Sequence, residues 1–515
     1  MVRKTSSGFH SNSGLSYDEL PYHLHRGYSR TVSPSASSVT TSRGNLDAIN
    51  EKELDPSYYT DPYVKFMTEN PTIFHAVDTF ARALEKKGFG YLNERSSWNI
   101  KAGGKYYTTR NDSSIIAFTV GKEYKAGSGV AIVAGHVDAL TAKLKPVSKI
   151  PNKAGYIQLG VAPYAGGMNS TWWDRDLGIG GRVLVKTSSG KIETKLVNLG
   201  WPIARIPTLA PHFGAAAQGP FNKETQMTPI IGLDNSDVTG ARREPSIEIK
   251  PHTFAATQPP RLVELITKSI NITDASTIVN WELELFDSMP AQTGGLDHEF
   301  IFAGRIDDKL CCFAAIEALL ATSDSTSPGI IKMVGCFDDE EVGSYLRQGA
   351  RSNFMYATIS RVVEATSDSA GPNLVGQVLA NSFLVSSDVI HAVNPNFLNA
   401  YLENHSPRLN VGVAVSADPN GNMTTDSVST ALLSRIAERC GSTLQVFQIR
   451  NDSRSGGTIG PMTSSALGCR AVDCGIPQLS MHSIRATTGS LDPGLGVKLY
   501  KGFFDHYEEV DKEFQ

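Results

Sequence analysis

Five short apolar runs, spread over more than 300 residues, each stop at a side chain able to bind a divalent cation. They are AIVAGHVD (131–138), FAGRIDD (302–308), IIKMVGCFDDEE (330–341), FLVSSDVIH (383–391) and PQLSMHS (477–483). An apolar run of four to eight residues that ends abruptly in His, Asp or Glu reads as a buried strand. Its polar terminus is then delivered to the carboxyl edge of an open α/β sheet, where such folds bind ligands. One run of this kind carries little weight. Five with complementary donors predict one assembled centre.

The chain has 515 residues, 40% apolar and 19% charged, which is the composition of a globular protein. That length exceeds one ordinary core and predicts two domains or one domain with a large insertion. A formal charge of −4 gives no reason to expect nucleic acid as a partner. No apolar stretch nears the roughly 18 residues that span a bilayer, so membrane insertion is not expected. Six cysteines (311, 312, 336, 440, 469, 474) show no CxxC spacing and read as reduced thiols.

The first 57 residues stand apart as a Ser-rich, disordered tail or propeptide. Order is expected from about Asp61. A helix follows from the spacing of Ile73, Val77, Phe80 and Leu84, with Asn70 as cap, Pro71 in the first turn and Gly88 as the stop. Residues 141–290 hold short alternating strands such as GRVLVKT and KIETKLVNL. They hold no ligand cluster apart from His212, and a helix is expected over 259–270. This reads as a mainly β insertion within a domain built from 58–140 and 291–515. From Asp307 onward helical and strand patterns alternate, which predicts α/β architecture with a mixed, largely parallel central sheet flanked by helices.

At residue level, His136 and Asp138 suit a metal-binding imidazole whose second ring nitrogen is held by a carboxylate. Asp307 opens a helical pattern, where an N-cap is the simpler explanation. Four consecutive acids, 338–341, repel one another unless cations lie close. Of the adjacent Glu340 and Glu341, one can bind metal while the other moves a proton. Asp388 and His482 repeat the strand-end pattern. Two His, two Asp and one Glu form a donor set suited to Zn2+ or Mn2+, and a bridging carboxylate would allow two ions. No GxSxG elbow or Walker loop competes with this reading. A metal-dependent hydrolase is the expectation.

The motifs GHVDAL, WWDRDLGIGGR, RIPTLAPHF, RIDDKLC, FDDEEVGS, RQGA, SSDVIHAVNPNF, RSGGTIGP and LSMHSIR resemble the aspartyl aminopeptidase/vacuolar aminopeptidase I family of zinc metallopeptidases. The resemblance runs from about residue 60 to the C-terminus and leaves the tail outside. It implies a phosphorylase/hydrolase-like catalytic domain, a β-rich dimerisation domain over 141–290, and a tetrahedral dodecamer acting on peptides. It also implies two Zn2+ per subunit, with Mn2+ or Co2+ as substitutes. One ion would be held by His136 and Asp388, the other by Glu341 and His482, with Asp307 bridging. Glu340 would be the general base, Asp138 would orient His136, and the peptide after Asp307 would be cis. His212 would reach a neighbouring subunit's site, and His391, one helical turn beyond Asp388, would line the pocket.

Members acting on acidic residues carry a Lys-rich segment where this chain has DPNGNM (418–423). Met423 instead offers an apolar wall, which implies a preference for Leu-like neutral residues. The loop 454–458 is expected over the cleft, with Gly457 permitting close approach to the peptide. The vacuolar branch adds expectations of an autophagy receptor that binds through the tail and of a vacuolar destination. An amphipathic propeptide helix is not evident in residues 1–50, so a cytoplasmic role is equally expected. An alternative reading is a self-assembling cargo shell with secondary peptidase activity.

Overall fold

The computed structural model describes residues 55–241, 243–368 and 371–515. The expected tail therefore lies outside the described residues up to position 54. Helical structure begins at Pro56, capped by the Asp55 carboxylate, five residues before Asp61. The helix expected between Asn70 and Gly88 is Ile73–Lys86, and a further helix, Thr60–Glu69, precedes it. Asn70 ends the earlier helix and Thr72 sits at the N-cap of the later one. Pro71 disfavours helical geometry at the residue before it. Accordingly Asn70 adopts φ −118°, ψ 72°, and its amide donates back to the Phe66 carbonyl.

A nine-stranded sheet organises the molecule. Its order is Gly90–Tyr91, Lys105–Arg110, Ser114–Val120, Ile331–Phe337, Val130–His136, Phe383–Ser387, Arg470–Gly475, Ala414–Ser416 and Gln445–Phe447. The four strands from Ile331–Phe337 to Arg470–Gly475 run parallel to one another. Three of them, Ile331–Phe337, Val130–His136 and Phe383–Ser387, are buried along their whole length. Burial on both faces is why they read as continuous apolar runs rather than alternating ones. Ala131, Val133, Val334, Cys336 and Val385 face a core shared with helices Ile73–Lys86, Ile306–Ala321, Ser427–Cys440 and Asp492–Val510. Val130, Ile132, Met333 and Leu384 face a second core under helices Phe354–Ala365, Pro372–Ala380 and Ile459–Leu467. Each valine, isoleucine, leucine or methionine among them contributes about 1.5–3 kcal/mol by leaving water.

Residues 141–287 supply the strands of an antiparallel six-stranded sheet with its own core. It runs Ile192–Asn198, Leu177–Lys186, Ile278–Asp287, Thr141–Lys149, Tyr156–Tyr164 and Ile230–Leu233, and helix Pro260–Ser269 packs into its core. A third sheet of five strands joins Gln292–Gly294, Phe300–Ala303, Ala486–Gly489, Pro477–Leu479 and Ile390–His391. The apolar runs that lead to Asp307 and His482 belong to this third sheet. Only His136, the 338–341 acids and Asp388 leave the edge of the nine-stranded one. Among the described residues no helix is long and apolar enough to cross a membrane, and all six cysteines are free.

Candidate metal centre

His136 closes its strand and is buried, as is Asp138 two residues later. Asp388 follows strand Phe383–Ser387, its N–H donating to the Cys474 carbonyl at 3.1 Å. Glu340 and Glu341 stand on a tight turn after Ile331–Phe337, entered through Asp339 in left-handed geometry. Asp307 lies at the start of helix Ile306–Ala321 without helical dihedrals and is not its N-cap, a position held by Arg305. The Asp307–Asp308 peptide is cis. His482 stands in a turn after Pro477–Leu479 with φ 63°.

These elements bring the two histidines and four acids together. His136 Nε2 lies 3.2 Å from Asp307 Oδ1, 3.5 Å from Asp388 Oδ1 and 3.8 Å from Glu340 Oε2. His482 Nε2 lies 3.6 Å from Asp307 Oδ2 and 3.8 Å from Glu341 Oε2. Two triads result, His136–Asp307–Asp388 and Asp307–Glu341–His482, and in each the donor atoms lie within 4.8 Å of one another. Behind His136, the Nδ1 ring nitrogen meets the Asp138 carboxylate at 3.2 Å. Asp138 also accepts the N–H groups of Glu340 at 3.1 Å and Glu341 at 3.2 Å. A single carboxylate therefore fixes both the imidazole and the turn that carries the two glutamates.

The electrostatics fit a cation. Burial pushes the Glu340 carboxyl up to about 8, against the pull of His136 and with the repulsion of Asp388. Burial and Asp307 raise Glu341, and burial raises Asp388 although His136 opposes it. Burial would lower His136, yet Asp388 and Glu340 beside it hold the imidazole well above its ordinary value. Asp138 behaves oppositely. Burial would raise it, but the His136 ring and the Tyr164 hydroxyl keep it low. Carboxylates driven up by burial and mutual repulsion are short of positive charge. The buried Glu341 Oε1 and Asp308 Oδ1 also accept no hydrogen bond among the described residues. Carboxylate and imidazole donors in two triads with a shared member match a pair of borderline divalent ions.

The other expected site residues are more dispersed. His391 is on the short strand Ile390–His391, not one helical turn beyond Asp388, because the five-stranded sheet claims its backbone. It opens to solvent but is crowded by protein, which lowers its imidazole pKa, while Asp307 opposes this. Met423 is half-buried and Gly457 exposed. His212 is exposed on the turn Pro211–Ala217, stacked on Phe213, and belongs to neither triad of this chain. Asp308, which follows Asp307 in the RIDD motif, is buried and carries no sequence signal of its own. Its Oδ2 accepts the His136 N–H at 3.3 Å. Gly135 permits that approach, since a Cβ there would lie 2.5 Å from Asp308 Oδ2 and 2.6 Å from the Ser387 carbonyl.

Over residues 66–504 the sequence matches Aminopeptidase I zinc metalloprotease, M18. The chain belongs to this family. It is therefore a hydrolase of the M18 zinc aminopeptidase class. Vacuolar aminopeptidase 1 of Saccharomyces cerevisiae is 43% identical over 497 residues, covering 94% of this chain and 96% of that protein. The aspartyl aminopeptidase of Aspergillus oryzae is 39% identical over 480 residues, covering 87% and 96%. Among solved structures, mApe1 of Chaetomium thermophilum superposes with a TM-score of 0.83 at 57% identity, covering 89% of this chain and all of that one. The S. cerevisiae mApe1 dodecamer gives a TM-score of 0.78 at 39% identity, covering 89% and 99%.

Proposed function

We propose that this M18 member is a dinuclear zinc aminopeptidase that removes Leu-like neutral residues from peptide N-termini. The observation that carries the reading is Asp307, whose two carboxylate oxygens face two different histidines. His136 and Asp388 would hold one ion, Glu341 and His482 the other, with Asp307 between them. Zinc bound there supplies Lewis-acid polarisation of the scissile carbonyl and activation of water. Glu340, free of both triads, takes the proton from the attacking water and returns it to the departing amine. Asp138 keeps the His136 ring in one tautomer and orientation.

For specificity, the half-buried Met423 supplies an apolar wall, and the open backbone at Gly457 leaves room for a peptide strand. No cation stands in the 418–423 segment to partner an acidic side chain. The test is hydrolysis of Leu-, Asp- and Lys-nitroanilides, with metal content followed through chelation and zinc return. Leu turnover that disappears with the metal and returns with zinc supports the reading. Asp turnover equal to or above Leu turnover would refute the preference.

Assembly into a tetrahedral dodecamer is supported by the dodecamer solved for the yeast relative. In a like assembly the six-stranded sheet would form the dimer interface and His212 would serve a neighbouring subunit. Vacuolar residence, reached through the cytoplasm, is supported by the likeness to vacuolar aminopeptidase 1. The shell reading is favoured by a related structure, the Ape4 and Nbr1 complex, 35% identical with a TM-score of 0.83. A receptor would on that reading bind the N-terminal tail. Locating the tagged chain with and without residues 1–50 separates tail-dependent delivery from cytoplasmic residence.

A further inference from the structure

The six-stranded sheet touches the metal centre at two points through one segment, residues 164–171. Tyr164 ends strand Tyr156–Tyr164 and pairs with Thr141, five residues after His136. Its hydroxyl donates to Asp138 Oδ2 at 2.7 Å, and the Lys143 ammonium lies 4.0 Å from its ring centroid. Five residues on, the Asn169 side-chain amide donates to the His482 carbonyl at 2.8 Å. Asn169 Oδ1 accepts from Thr171 Oγ1 at 2.6 Å, and that hydroxyl in turn accepts the Ile484 N–H at 3.0 Å. The left-handed turn that aims His482 is thus gripped on both sides.

The segment between these anchors is itself tightly built. Ala165 and Met168 both hold positive φ, and Met168 is 1% exposed in the core of the six-stranded sheet. Gly167 presses against the preceding strand, where a Cβ would lie 2.1 Å from the Thr141 carbonyl. Lys223 ties the Gly167 carbonyl at 2.9 Å. A side chain packed into one core therefore fixes hydrogen bonds that end on the Asp138 carboxylate behind His136 and on the backbone of His482, residues carried by two other sheets.

We propose that residues 164–171 form a strap that positions both halves of the metal centre. Tyr164 acts on His136 through Asp138, and Asn169 acts on His482 through its backbone. Resting on the dinuclear reading above, this makes Tyr164 and Asn169 positioning residues that govern metal retention. Removal of either hydrogen bond leaves every proposed ligand in the chain but loosens its aim. Partners of metal ligands commonly change metal affinity by 10- to 100-fold.

The test is zinc release from the full chain to a chromogenic chelator. The proteins are wild type, Tyr164→Phe, Asp138→Asn, the Tyr164→Phe/Asp138→Asn pair and Asn169→Asp, which keeps the acceptor for Thr171 but loses the donor to His482. Melting of the metal-free proteins is recorded alongside, and should stay together across the set. Tyr164→Phe and Asn169→Asp are each expected to release zinc at least about tenfold faster. The pair should release it no faster than Asp138→Asn alone, because both changes act through one carboxylate. Single variants that release zinc at the wild-type rate, or effects that add in the pair, would overturn the strap. A wild type that holds no zinc would remove the metal centre itself, and the strap with it.

Discussion

The Thr458 hydroxyl donates to Asp473 Oδ1 at 2.6 Å. The other oxygen of that buried carboxylate accepts the Thr424 N–H at 2.5 Å. Thr424 follows Met423 and Thr458 follows Gly457, so one side chain braces both segments assigned to the substrate. Asp473 lies on the strand beside the one leading to Asp388, its backbone in register with Ser386. Asp473→Asn keeps the shape but offers a single acceptor oxygen to two donors. The expected result is a roughly tenfold lower kcat/KM for a Leu substrate, matching loss of one charge-assisted hydrogen bond. Zinc content should not change, and a variant with wild-type kinetics would remove Asp473 from this role.

Glu340 belongs to neither ligand triad but lies 3.8 Å from His136. In Glu340→Gln the side chain keeps its volume and cannot accept a proton from water. Turnover should fall by about 100- to 10,000-fold, the range for a general base, while both zinc ions stay. Measuring metal per subunit beside the rate distinguishes the roles. Zinc lost together with activity would show that the two neighbouring glutamates have been assigned in the wrong order.

Much of this centre is legible in the sequence because buried parallel strands have little compositional freedom. Val130–His136, Ile331–Phe337 and Phe383–Ser387 are enclosed on both faces, so each is apolar until its polar end. Run length identifies a strand but not the sheet it joins. Asp307 and His482 therefore arrive from the five-stranded sheet without any local sign of it. His391 reads as helical by spacing from Asp388, yet its backbone pairs with Gln478. Tyr164 carries no motif at all, since its contact with Asp138 exists only once two sheets meet. Asn70 shows the limit at short range. Asn-Pro signals a helix start, but the same pair also ends the helix before it.

Asp307 offers one oxygen to each triad, so its replacement should disturb two ions where replacement of Asp388 or Glu341 disturbs one. Asp307→Asn retains an oxygen but substitutes a nitrogen that does not bind zinc and removes the shared negative charge. Equilibrium dialysis should find fewer than one tightly held zinc per subunit in Asp307→Asn, and about one in Asp388→Asn. Two ions retained by Asp307→Asn would end the bridging assignment.

His75 gives a pH dependence separate from the chemistry. It lies in the first turn of helix Ile73–Lys86, with Nδ1 2.8 Å from Thr72 Oγ1. Burial, reinforced by Lys309 and Arg305, lowers its pKa from 6.5 to about 4. Between those values the unfolded chain binds a proton that the folded chain refuses, so stability falls as pH falls through this window. Above about 6.5 neither state is protonated and the effect vanishes. Acidification from pH 7 to pH 5 should cost wild type about 2 kcal/mol through this group alone. His75→Gln keeps a polar partner for Thr72 and cannot titrate. Urea midpoints at the two pH values should thus fall less in His75→Gln than in wild type. Carboxylates titrating over the same range are common to both proteins and cancel in the comparison, so equal falls would show that His75 is protonated as readily in the folded state as in the unfolded one.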